Sequence, residues 1–351
     1  MKRNFIVVVL ILGILVTSCA NNHQKRMLLS FSGEKAFTPS SPQLFIPGLG
    51  FTGKFWSDSK MFQLFKEYGW KYGGDIKTIQ TDEGIKIESK DSLIPAHIYS
   101  ITFSNTQLPI QQQGKEVAKA VEFIKELNQK DTVVLYGHSM GGLAAREYLQ
   151  SSYYQNDVAA YISIGTPHQG SNFDLDRPLM KLLPHFIQNM YWKVDEEGDA
   201  VRDLRTDSIY LNGGKESDSP ERFRNKDINL NGNNEDTIIG LNELDKKPLP
   251  KNVFYASVIG GGNPAIATRN QSKTSDGIVD IQSQDLNQLP GIDVASYVII
   301  SDSNHFGEAD DIMTVMQIVR MREFLVLFSK FNVMKYGSGK EVVDITELES
   351  N

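Results

Sequence analysis

The apolar run Thr132-Val133-Val134-Leu135-Tyr136 leads without a spacer into Gly137-His138-Ser139-Met140-Gly141-Gly142, and then into Leu143-Ala144-Ala145-Arg146-Glu147-Tyr148-Leu149. An apolar run without alternation suits a strand buried on both faces, the condition inside a parallel sheet covered by helices. The residues after the glycines are good helix formers, so the chain must pass from strand to helix in one tight, glycine-permitted turn. This strand–turn–helix unit calls for an α/β architecture.

The surrounding chain repeats the rhythm. Short apolar segments at 44–46, 98–103, 158–164, 252–259 and 294–300 read as further strands. Residues 76–88 alternate on either side of Asp82-Glu83-Gly84, which predicts a hairpin at the sheet edge. Helices are expected over 57–68, over the stretch carrying Val117, Val121, Ile124 and Leu127, and over 310–328. The fold class expected is therefore α/β, a mostly parallel central sheet flanked by helices. Residues 171–250 break the pattern. Leu179, Leu182, Leu183, Phe186 and Met190 stand at helical spacing, and a polar part rich in Asn, Asp, Gly and Lys follows. Eighty residues are too many for a simple connection, so they read as an inserted cap within a domain spanning 43–330.

The amino terminus is different in kind. Lys2 and Arg3 precede twelve apolar residues, 5–16, too few for the roughly 20 that cross a bilayer. A basic start, a short apolar run and then Val16-Thr17-Ser18-Cys19 read as an export signal, 1–18. That ending resembles the lipobox of bacterial lipoproteins, which implies cleavage before Cys19 and lipidation of its thiol and amine. Residues 19–42 read as a polar tether and 331–351 as a tail. The expected place is the bacterial cell envelope, lipid-anchored at an outer membrane or cell surface. The net charge is −7, or −9 once Lys2 and Arg3 leave with the signal, so no basic footprint for nucleic acid is present. With one cysteine, neither an intrachain disulfide nor a CxxC zinc site can form.

Gly137-His138-Ser139-Met140-Gly141 has the strand–turn–helix setting that a nucleophile elbow requires. Together with Ile164-Gly165-Thr166-Pro167-His168-Gln169-Gly170-Ser171 and Ser275-Asp276-Gly277-Ile278-Val279, it makes residues 43–330 resemble the α/β-hydrolase superfamily, and within it the bacterial lipases and esterases. The resemblance implies a triad in the chain order serine, acid, histidine, with Ser139 as nucleophile. Of the six histidines only His305 lies late enough to leave an acid before it. Asp276 is the acid expected from the turn Ser275-Asp276-Gly277, with Asp280 as runner-up. The oxyanion hole is expected from the backbone N–H of Met140 and a second donor in Pro47-Gly48-Leu49-Gly50, Leu49 or else Gly50. This loop departs from the lipase pattern by having Pro47 where a histidine is usual.

Residues 227–236 place Asp227, Asn229 and Asn231 at positions 1, 3 and 5 of a loop with Gly232 at 6, a spacing that wraps a hard cation. Position 12 is Ile238, so a full EF-hand is excluded, and Asp236 or Glu235 is left to supply the missing charge. A structural Ca²⁺ there competes with the plainer reading of a solvated turn. No cofactor is expected for the chemistry. The function expected is a serine ester hydrolase acting on an ester or lipid substrate through an acyl-enzyme. The alternatives are an acyltransferase, an amidase or deacylase with the same triad, and a surface binding protein without catalysis.

Overall fold

The computed structural model describes residues 41–67, 69–171, 194–195, 197–223, 227–261 and 275–311. The leader with Cys19, the tether up to residue 40, the apolar run 179–192 and residues 312–351, with most of the expected last helix, lie outside the described residues.

Eight strands form one sheet: β1 (Gln43–Ile46), β2 (Tyr72–Thr81), β3 (Gly84–Ile87), β4 (Ile98–Thr102), β5 (Val133–His138), β6 (Val158–Ile164), β9 (Phe254–Gly260) and β10 (Ser296–Ser301). Their spatial order is β10-β9-β6-β5-β1-β4-β2-β3. Every ladder is parallel except the β2–β3 hairpin at one border, where the expected hairpin lies. The last tether residues already belong to the sheet, since Val134 donates its N–H to the Pro42 carbonyl at 2.9 Å. Two-residue strands β7 (Gly214–Lys215) and β8 (Thr237–Ile238) pair antiparallel outside the main sheet.

Helices follow the strands as the spacing predicts, with one correction. The helix expected over 57–68 is two, α1 (Lys54–Ser57) and α2 (Lys60–Glu67). Ser59 separates them: its Oγ donates to the Trp56 carbonyl at 2.7 Å and accepts from the Phe62 N–H at 3.2 Å, the side-chain competition with backbone by which serine starts and stops helices. α3 (Ile110–Asn128) and α4 (Met140–Gln150) are the two long helices among the described residues. Apolar clusters cover both faces of the sheet, one around Leu44, Val121, Leu135 and Ala145, the other around Phe45, Trp56, Phe62 and Tyr136. No described helix is long and apolar enough to cross a membrane.

A third apolar cluster lies over the carboxyl ends of the strands. Val201, Leu204, Leu211 and Leu241 from the expected cap region pack there against Leu49, Met140, Leu143 and Ile278. Within that region α5 (Asp199–Leu204) and α6 (Ile209–Asn212) are the helices among the described residues. Fully buried Arg146 of α4 ties the region down by donating to the Leu241 carbonyl at 2.9 Å and to Asn242 Oδ1 at 3.1 Å.

Candidate active site

The chain leaves β1 toward β2 on one side and leaves β5 toward β6 on the other, so a crevice opens between the carboxyl ends of β1 and β5. Ser139 stands at its mouth, directly after β5, with φ 53° and ψ −127°. A non-glycine residue in this strained conformation is held there by its surroundings. The holding bonds run from the Ser139 N–H to the Ile164 carbonyl at 2.9 Å and from the Gly142 N–H to the Ser139 carbonyl at 3.0 Å. The turn closes because Gly141 has no side chain: a Cβ there would come within 2.4 Å of the Pro47 carbonyl oxygen.

Asp276 and His305 come from the loops after β9 and β10. His305 Nδ1 donates to Asp276 Oδ2 at 2.7 Å, and the His305 N–H donates to the Asp276 carbonyl at 2.9 Å. Asp276 Oδ1 takes the N–H groups of Ile278 (2.8 Å) and Val279 (2.7 Å), so the turn 275–279 aims this carboxylate. Asp280 does something else, capping α7 (Ile281–Gln284) by accepting the Gln282 N–H. With Nδ1 committed to the acid, Nε2 is the imidazole nitrogen left to serve the serine. Ser139 and His305 line one small cavity of about 30 Å³, walled by Leu49, Phe51, Leu204, Ile278, Val279 and Phe306 among others.

Leu49 and Gly50 differ in their hydrogen bonding. The Gly50 N–H is spent on the Thr106 carbonyl at 3.1 Å, whereas the N–H groups of Leu49 and Met140 have no partner among the described residues. Gly48 brings this loop against the elbow, since a Cβ on it would lie 2.9 Å from Ser139 Cβ. A half-buried serine at a helix start, a histidine–carboxylate pair opening onto the same cavity and two N–H groups without a partner among the described residues are arranged as acyl transfer requires. The chain has the α/β-hydrolase fold.

Residues 99–225 match the sequence model of the PGAP1-like alpha/beta domain. No curated protein sequence matches the chain. Among solved structures, the product of lin2722 from Listeria innocua is similar at 16% identity and TM-score 0.46, over 86% of this chain and 97% of that one. The mature Bacillus licheniformis lipase BlEst2 is similar at 16% identity and TM-score 0.48, over 84% of this chain and 94% of its own. Phospholipase PlaB from Legionella pneumophila is similar at 13% identity and TM-score 0.47, with 81% and 59% covered.

Two residues beside the pair have no motif of their own. His138 is fully buried and donates from Nε2 to the His305 carbonyl at 2.7 Å, so it supports the histidine loop and not the serine. Burial and the neighbouring His305 push its pKa down to about 3, which keeps it neutral at ordinary pH. Glu308, also fully buried, has ligand-type atoms within 4.8 Å of those of His138 and His305.

The loop expected to wrap a cation is held by its own side chains. Asp227 accepts the N–H groups of Leu230 and Gly232, both at 2.6 Å, and Asn229 and Asn231 each accept the N–H two residues on. The Asn229, Asn231 and Asn233 amides converge on the carboxylate of Asp236, at 2.9, 2.5 and 2.6 Å. The loop adjoins buried Glu216, which accepts the N–H groups of Ile228 and Asp236.

Proposed function

We propose that the protein is a serine ester hydrolase. The Asp276–His305 pair, opening onto the same cavity as the strained Ser139, is the observation that carries this reading. In this mechanism Ser139 Oγ attacks the ester carbonyl while His305 Nε2 takes the hydroxyl proton. The Asp276 carboxylate holds the tautomer and stabilises the imidazolium. The N–H groups of Leu49 and Met140 receive the oxyanion, aided by the positive end of α4 behind Ser139. His305 then gives its proton to the leaving alcohol, and water, activated by the same nitrogen, releases the acid.

The cavity walls favour an apolar acyl group: Leu49, Phe51, Leu204, Ile278, Val279 and Phe306 present hydrocarbon. Through Ser171 the cavity adjoins a larger polar hollow of about 510 Å³, edged by Asn212, Asn242, Gln282 and Ser283, which suits a polar alcohol. A lipid anchor at Cys19 would set this site beside a membrane, so a lipidic ester is the substrate class proposed. Acyl transfer to an acceptor other than water uses the same groups, and the acceptor decides between the two.

A fluorophosphonate probe tests the reading. Wild type is expected to be labelled and Ser139→Ala to remain unlabelled while keeping the same melting temperature. An unlabelled wild-type protein would overturn the proposal in favour of a binding protein on a hydrolase scaffold.

A further inference from the structure

Among the described residues beside the site, Glu308 carries a buried carboxyl group that the mechanism above leaves unused. The turn after His305 is helical in character, with the Gly307 and Glu308 N–H groups both donating to the Asn304 carbonyl, at 2.8 and 3.2 Å. Residues three apart then share a face, so Glu308 points where His305 points. Space for it is made by two glycines at the ends of neighbouring strands. A Cβ on Gly165, after β6, would come within 2.2 Å of Glu308 Oε2 and 3.0 Å of His305 Nδ1. A Cβ on Gly260, at the end of β9, would come within 2.1 Å of Glu308 Oε1 and 2.7 Å of Asp276 Cβ. Gly165 adopts φ 55° to complete this niche.

Among the described residues only the Gly260 N–H favours a charge on Glu308. Neither carboxyl oxygen receives a hydrogen bond from a neighbouring donor, and the Gly260 N–H beside it is given to Gln284 Oε1 at 2.8 Å. No Lys or Arg among the described residues pairs with it; the titratable groups facing it are Asp276, His305 and His138, from three different elements. The Asp276 carboxylate is already occupied on both oxygens, by two backbone N–H groups and by His305. Two carboxylates in contact in a dry interior cannot both be ionised, and only one of these two holds donors that stabilise its charge.

Building on the hydrolase reading, we propose that Glu308 is a neutral carboxylic acid that donates its hydrogen to the Asp276 carboxylate. It acts as a positioning residue: it fixes Asp276 behind His305 and keeps the buried charge of the pair at one. Burial and the Asp276 charge both act in this direction, raising the Glu308 pKa well above the ordinary carboxyl value. The extra donor also shares the negative charge that Asp276 presents to the His305 N–H.

Two variants and two readouts test this. Infrared difference spectra of wild type minus Glu308→Gln at pH 7 are expected to contain the C=O stretch of a protonated carboxyl, which isolates Glu308 from other buried acids. Absence of that band overturns the proposal. The pH profile of kcat/KM on p-nitrophenyl butyrate gives the second readout. Gln keeps a donor and adds no charge, so its acid limb is expected to overlie that of wild type. Glu308→Leu removes the donor, and kcat is expected to fall about 10-fold with KM unchanged, the acid limb moving to higher pH. An acid limb displaced to lower pH in Glu308→Gln would show an ionised Glu308 and overturn the proposal. A wild-type profile in Glu308→Leu would overturn the positioning role. Should Glu308→Leu not fold, Glu308→Gln alone still decides. The infrared arm reads Glu308 whether or not the chain hydrolyses esters, so its outcome is separate from that of the fluorophosphonate test.

Discussion

A carboxyl group buried without a cation leaves a thermodynamic trace as well as a kinetic one. Unfolded Glu308 ionises near its ordinary value of 4.5, while in the folded protein the pKa is well above it. Below 4.5 the group is protonated in both states and contributes nothing to the pH dependence. Above it the unfolded chain binds fewer protons than the folded one, so stability falls as pH rises toward the folded pKa. Glu308→Gln lacks that loss. Its melting temperature relative to wild type is therefore expected to climb between pH 4.5 and 8, as followed by circular dichroism; a flat difference would mean that Glu308 ionises alike in both states. Neither Glu308 nor His138 was legible in the sequence as a supporting residue. Ser139, Asp276 and His305 announce themselves through turn chemistry and chain order, which are local. The support given by Glu308 depends on Gly165 and Gly260, which lie 95 residues apart and meet only because β6 and β9 are neighbours.

Among the elements, the strands were the most legible. Burial on both faces makes the central ones, β1, β5, β6 and β9, apolar almost throughout, and their parallel order leaves little room for another pattern. The split between α1 and α2 was not readable, because the apolar spacing runs through Ser59 and only its two hydrogen bonds reveal the break. α5 carries a prediction about specificity. Its last residue, Leu204, walls the small cavity beside Ser139. Leu204→Ala should open that wall and raise kcat/KM for longer acyl chains relative to acetate, by up to about fourfold per added methylene at roughly 0.8 kcal/mol each. Its stability should fall by about 2–5 kcal/mol. An unchanged chain-length profile would place the acyl group elsewhere. The loop 227–236 carries another prediction. A bound Ca²⁺ would need the Asn229 and Asn231 oxygens to join those of Asp227 and Asp236, and excess Ca²⁺ should then raise the melting temperature above that in EDTA. Equal melting temperatures would remove calcium from this loop.

For the whole molecule, the described sheet begins close behind Ser41, whose Oγ is bonded to Thr132 Oγ1 at 2.8 Å. An anchor at Cys19 would lie ahead of this point in the chain. Cys19→Ser is expected to abolish fatty-acid labelling and leave esterase activity per molecule unchanged, as metabolic labelling and a turnover assay would show; a soluble wild-type protein with a free thiol would end the lipoprotein reading. The global plan also gives the site a particular weakness. Ser139 stands in the middle of the sheet, while His305 follows β10, whose one described neighbour is β9 and whose Ile300 is 69% exposed. Were this border strand to peel away, His305 would leave with it, while α4 and the central strands could still hold Ser139 in its turn. The chain would then keep most of its sheet and lose its proton carrier, so the chemistry reports on the integrity of the sheet's rim more sensitively than on that of its core.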